Sequence, residues 1–156
     1  MKNLIALIFA VFSSLAFAQP YQLSPSAPQD KPLPATLAQK QKLDAAIQPL
    51  VKQARASYPD AKRRFLAGLP QGEAFFVTAS LNDQSGLTER VFIAVQRVEG
   101  NTISGKVASD ILLVKGYKAG DAYSLPEAEI IDWLISKPDG SEEGNLVGKF
   151  LDTYHL

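Results

Sequence analysis

The chain has 156 residues and no formal net charge, with 46% hydrophobic and 21% charged residues. Those values fit a single globular domain and exclude a global field that would gather nucleic acid or an anionic membrane. The absence of cysteine excludes disulfides, thiolate metal sites, a cysteine nucleophile and a lipidated N-terminal cysteine.

Residues 1–18 read as a secretory signal. Lys2 supplies the positive start, an apolar run covers 4–12, and Ala16-Phe17-Ala18 fits the small-x-small cleavage rule. The run is shorter than the ~20 apolar residues of a membrane span. The product is therefore expected to be periplasmic or secreted, cut after Ala18, with no integral membrane anchor. Residues 19–34 hold Pro20, Pro25, Pro28, Pro32 and Pro34, which favours an extended, solvated linker. One domain is expected over 35–156.

Thr36 to Gln39 has the spacing of a capping box. Beyond it Leu43, Ile47, Leu50 and Ala54 recur at helical spacing, which predicts a helix that Pro49 kinks or restarts. A second short helix is expected from Pro59 to near Gly68, turning Phe65 and Leu66 toward a sheet. This flank, 35–68, is basic. Residues 30–64 carry eight basic against three acidic side chains, and residues from 65 onward carry seven against thirteen. Such asymmetry suits a solvated face with attraction between flank and body, or a basic arm for an anionic partner. Lys62-Arg63-Arg64 lacks interleaved aromatics, so no nucleic-acid partner is expected.

From 73 to 136 the apolar period is two. Phe75, Val77, Ala79 and Leu81 share one face; Val91, Ile93 and Val95 do the same on the next strand, with Phe92, Ala94 and Val98 opposite. A strand apolar on both sides is central or belongs to a barrel. Glu99-Gly100-Asn101 predicts a tight turn, and Gly105 inside the next strand predicts a bulge or a close backbone approach. Further short strands are expected at 111–114 and 122–125, and 130–135 reads as a strand in preference to a short buried helix. Ser124 to Glu127 could cap one helical turn. Pro138-Asp139-Gly140 should turn, and 146–154 carries a helical stripe weakened by Gly148. The fold class is α+β: N-terminal helices on a small, strongly curved antiparallel sheet of five to six short strands, curved enough to approach a barrel.

The order of pieces resembles the YegJ-like family, a bacterial domain of unknown function. The likeness rests on Phe75-Phe76-Val77, on Glu89 leading into an apolar strand, and on Ile103-Ser104-Gly105. It continues through Gly120-Asp121, Ile131-Asp132-Trp133 and Gly144-x-x-x-Gly148. It covers roughly 45–150. Two departures stand out: Phe92 where the family usually has Trp, and Ser109-Asp110-Ile111 where it often has Asn-x-Pro. The resemblance implies a compact α+β domain and no transferable activity. It singles out Asp121, Asp132, Trp133, Phe92 and Gly105 as candidate binding positions. Each has a plainer reading. Asp121 suits turn chemistry after glycine, Asp132 suits a carboxylate accepting backbone N–H groups, and Trp133 suits core packing rather than a partner-facing anchor.

Catalytic equipment is sparse. His155, the single histidine, stands next to the end of the sequence and is a poor base for a triad or a metal site. Residues 144–149 superficially suggest a phosphate loop but are one residue short between glycines, and Phe150 stands where a hydroxyl should follow. No metal or cofactor is expected. Asp121, Glu127, Glu129 and Asp132 leave paired-carboxylate chemistry on a glycosidic bond as the one enzymatic alternative. The leading expectation is an exported, non-enzymatic binding or protein-interaction module of the bacterial cell envelope. Its partner would be another envelope protein or a secreted toxin. The alternative is a carboxylate-dependent hydrolase of envelope glycan.

Overall fold

The computed structural model describes residues 36–154. The expected signal 1–18, the linker 19–34 and His155 lie outside the described residues. A single helix, α1 (Leu37–Ala67), opens the described chain. Its capping box forms as expected: the Gln39 N–H donates to Thr36 Oγ1 at 3.1 Å, and the Thr36 N–H donates to Gln39 Oε1 at 3.0 Å. The two expected helices are one, with Pro49 and Pro59 both inside it. The reason is burial. Leu43, Ile47, Val51, Ala54, Tyr58 and Ala61 form one unbroken buried stripe past both prolines. Each large side chain so buried stabilises by about 2 kcal/mol, against about 3 kcal/mol for each interior proline. Gly68, at φ 95°, ends the helix and donates to the Phe65 carbonyl. Phe65 packs on the core as expected, but Leu66 is 58% exposed and does not.

Six antiparallel strands follow: β1 (Ala74–Asn82), β2 (Thr88–Glu99), β3 (Thr102–Val107), β4 (Ala122–Pro126), β5 (Asp132–Ser136) and β6 (Glu142–Gly144), in spatial order β4-β3-β2-β1-β5-β6. The sheet is open, not a barrel, because β4 and β6 are its two edges and do not pair. A 3-10 turn, Glu127–Glu129, joins β4 to β5. Its cap position is Pro126 and it has no side-chain cap bond, so Ser124 does not cap it. The C-terminal stripe is helical over α2 (Leu146–Leu151). The apolar run 111–114 is not a strand; its amides have other acceptors, described below.

β1 and β2 sit centrally, and β2 is apolar on both faces over its middle, as the pattern predicts. Phe75, Val77, Ala79, Leu81, Val91 and Ile93 join Trp133, Ile135 and the second half of α1 in the main core. Phe76, Phe92, Ala108 and Leu134 cluster on the opposite face. The first half of α1 packs Leu43, Ile47 and Val51 against Val147 of α2.

Gly105 has both features expected of it. The register of β2 against β3 shifts between Val95 and Arg97, and a Cβ at Gly105 would lie 2.1 Å from the Ala94 carbonyl oxygen. Three basic residues of the flank reach the body. Lys62 meets Glu127 at 2.5 Å, Arg64 meets Glu143 at 2.5 Å, and Arg55 Nε donates to the Ile130 carbonyl at 2.7 Å.

Candidate interaction surface

The five family-like positions do not form one site. Asp132 and Phe92 pair with Thr78 from opposite sides, so strand alternation puts both on one face of the sheet. Trp133 faces the other way, into the main core under α1. Gly105 and Asp121 lie toward the β3–β4 edge.

Asp132 is 1% exposed and works as a brace. Its Oδ2 accepts the Val147 N–H at 2.6 Å and its Oδ1 accepts the Trp133 N–H at 2.8 Å. Asn145, the residue before α2, is left-handed at φ 54° and its side chain makes no cap bond. The carboxylate from β5 therefore does the capping across the chain. Burial pushes the Asp132 carboxyl up to about 6, against the opposing pull of the Val147, Trp133 and Gly148 amides.

Trp133 Nε1 donates to the Ala54 carbonyl at 3.1 Å and to Ser57 Oγ at 3.0 Å, fastening β5 to α1. Asp121 Oδ2 accepts the Lys118 N–H at 3.0 Å, within a turn where Gly120 has φ 88°. Glu127 accepts the Tyr58 hydroxyl at 3.0 Å and the Lys62 ammonium. Burial, reinforced by Glu127, raises the Tyr58 hydroxyl above its ordinary range. Glu129 is exposed. Asp132 and Glu127 thus turn to different partners. Among the described residues no group of three or more His, Asp or Glu side chains is placed to hold a metal ion.

A different feature stands out at the end of the sheet where β1 turns into β2. Glu89, on β2, shares its face with Val91 and Ile93 and is 3% exposed. A carboxylate in that position needs compensating donors. They come from three successive amides: Glu89 Oε1 accepts Leu112 N–H at 2.9 Å, and Oε2 accepts Leu113 N–H at 2.8 Å and Val114 N–H at 3.0 Å. The next amide, Lys115 N–H, donates to Asp83 Oδ2 at 3.1 Å. Asp83 Oδ1 also accepts the Ser85 and Leu87 amides of the β1–β2 turn. The Ser85 hydroxyl and these amides hold the Asp83 carboxyl down at about 2. Ser109 Oγ accepts the Phe92 N–H at 2.9 Å, pinning the start of the same loop.

Of the side chains on this clamped run, that of Val114 is buried. Leu112, at 69% exposure, and Leu113 and Leu87, at 38% and 39%, stay in solvent. Leu37, the first residue of α1, is 70% exposed beside them. A groove of about 370 Å³ runs between Leu37, Leu87 and Leu113, with the Arg90–Asp44 ion pair and Lys40 among its lining. A second depression, of about 550 Å³, adjoins at Asn82–Ser85 and Lys115–Tyr117.

Periodicity points to a strand at 111–114 and misses this surface. The legible signal is Glu89 itself, a charge at a core-facing register. The family described as an uncharacterized protein conserved in bacteria (DUF2314) matches residues 44–151. No curated protein and no solved structure matches.

Proposed function

We propose a binding role for this chain, which belongs to the DUF2314 family of uncharacterized proteins conserved in bacteria. Within that family we read it as YegJ-like, on the Gly120-Asp121 and Asp132-Trp133 motifs. The role is that of an exported, non-enzymatic interaction module of the cell envelope. It engages another envelope protein or a secreted toxin through the leucines of the 109–115 loop and the β1–β2 turn.

The observation that carries this reading is the pairing of Glu89 with the amides of Leu112, Leu113 and Val114. The clamp fixes a loop backbone while leaving two of its leucines in water. Apolar anchors on a preordered backbone lose little conformational entropy when a partner covers them. A partner-facing Trp133 is not part of this reading, since its ring lies in the core. Support for a non-enzymatic role comes from the carboxylates. Asp132 braces α2, and Glu127 is tied to Tyr58 and Lys62. Export rests on the signal-like pattern of residues 1–18.

A photocrosslinking amino acid at position 112, with position 66 as an exposed control on the far end of α1, tests the reading in producing cells. A discrete adduct from 112 and none from 66 is expected. Equal adducts from both positions, or none from 112, would reject the surface. Release of sugar fragments from envelope glycan, abolished by Glu127→Gln, would reject the non-enzymatic role.

A further inference from the structure

At the end of α1 away from the leucine loop lies another cavity, mostly apolar and of about 380 Å³, between the end of the helix and the start of β1. We propose that it binds a small organic cation, an alkyl- or arylammonium with at least one N–H, held by Glu73. The proposal goes beyond the partner reading, and its failure would leave the leucine surface untouched.

The walls follow from the sheet register. Val77 pairs with Ile93, so Phe75 and Val95 continue that face of β1 and β2. Past Val95 the register of β2 breaks, and the residue opposite Val95 on β3 is Gly105, which adds no side chain. Helix α1 ends at Ala67 and leaves Phe65 and the following Leu69 half-buried on the core. The rings of Phe65 and Phe75 lie 5.4 Å apart, tilted by 37°.

Into these walls the link from α1 to β1 sets a carboxylate. The Glu73 N–H donates to the Pro70 carbonyl at 3.1 Å. Gly72, at φ 84°, sits so close to Pro138 that a Cβ there would lie 2.7 Å from its ring. Glu73 is thus held at the cavity, where it is the one charged residue among the described lining. Its Oε2 is out of contact with water and has no hydrogen-bond partner. Buried carboxylate oxygens ordinarily find a donor. Arg64 feels the Glu73 charge, but its guanidinium donates to Glu143 at 2.5 Å. Another buried atom without a partner, Asn145 Oδ1, has no such room beside it: a Cβ at Gly148 would lie 2.0 Å from it.

The chemistry of the occupant follows. Apolar walls with one carboxylate suit an apolar body carrying one positive charge, whereas a neutral apolar molecule leaves Oε2 without a donor. Aromatic faces attract cations as well. The terminal torsion of a glutamate is soft, so the carboxyl can turn an oxygen toward a bound ammonium. A hydrogen bond to that oxygen needs an N–H, which disfavours a fully alkylated ammonium. The volume is at the small end for ligand cavities and suits a fragment-sized molecule.

The probe is phenethylamine, protonated at neutral pH. It is titrated into the purified chain while the methyl signals of Leu69, Val95, Leu112 and Leu113 are followed by NMR. Saturable shifts at Leu69 and Val95, with a Kd on the order of 0.1–1 mM, and none at Leu112 and Leu113 are expected. Phenethyl alcohol has the shape without the charge, and the trimethylated amine has the charge without the N–H. Each should bind at least about tenfold more weakly. Glu73→Gln should weaken the amine by about tenfold or more and leave the alcohol unchanged. Leu69→Trp, which fills the cavity and keeps the carboxylate, should weaken both. No saturable shift at Leu69 and Val95 overturns the proposal. So does equal affinity for the amine and either analogue, or an amine affinity unchanged by Glu73→Gln. An equal loss of amine and alcohol in Glu73→Gln overturns it too, since the carboxylate would then only shape the cavity.

Discussion

Replacing Glu89 by alanine removes the acceptor for three consecutive amides. The amides are not equivalent. Val114 is buried, so its N–H is left without water, at about 1–3 kcal/mol. Leu112 and Leu113 are exposed enough for their N–H groups to find solvent, and each loses about 0.5–1.5 kcal/mol of net bonding. The sum is about 2–6 kcal/mol, a large share of the stability of an ordinary domain. Part of it should appear as local opening, because the loop 108–121 contains no helix or strand to hold it once the clamp is gone. Hydrogen exchange at Val114 should quicken by at least about 30-fold, the equivalent of about 2 kcal/mol. Glu89→Gln should lie between, since its one carbonyl oxygen can serve the Leu113 and Val114 amides while its NH2 opposes Leu112. Urea unfolding and exchange mass spectrometry read both quantities. A Glu89→Ala chain within about 0.5 kcal/mol of the natural one, with Val114 still protected, would refute the clamp.

Three further predictions concern the brace positions. Gly105→Ala drives a methyl toward the Ala94 carbonyl and should destabilise by about 2 kcal/mol or more, read as a lower urea midpoint. Trp133→Phe strips the bonds to Ala54 and Ser57 and should lower stability by about 2 kcal/mol; an unchanged midpoint would show that the indole N–H contributes nothing. For Asp132, the folded carboxyl at about 6 stands above its ordinary 3.8, so the folded state holds the proton more tightly. The stability this contributes is full below about pH 4 and is lost as pH rises through about 6, up to about 3 kcal/mol. The difference in unfolding free energy between the natural chain and Asp132→Asn should therefore shift in favour of the variant from pH 4 to pH 7.5. A difference independent of pH would contradict the buried-carboxyl account.

Much of the fold was legible because local pattern and final burial agree. The capping box at Thr36, the alternation in β1 and β2 and the close approach at Gly105 follow from rules that tertiary context did not override. Pro49 and Pro59 misled because local chemistry argued for breaks while a buried stripe, visible only once the sheet is in place, outweighed them. The run 111–114 misled for a related reason. Apolar residues in sequence suggest a strand, but the acceptors for the Leu112, Leu113 and Val114 amides lie on Glu89, more than twenty residues upstream. Strand β6, three residues long and containing two glutamates, carries no apolar period at all. Among the candidate residues, Asp121, Asp132 and Gly105 stand out by likeness, and their plain structural explanations match the contacts they make. Glu89 reads in sequence as the lead-in to a strand, although a charge in register with Val91 and Ile93 marks a position where the fold must bring donors.

The central claim is that the leucines of the clamped loop are the working surface. Its most direct measurement is the affinity of the purified chain for the protein crosslinked at position 112, compared with that of the double variant Leu112→Asp, Leu113→Asp. Both leucines are solvent-exposed, so the variant should keep its urea midpoint. Its binding should weaken by about tenfold or more. Equal affinity for the two chains would contradict the account.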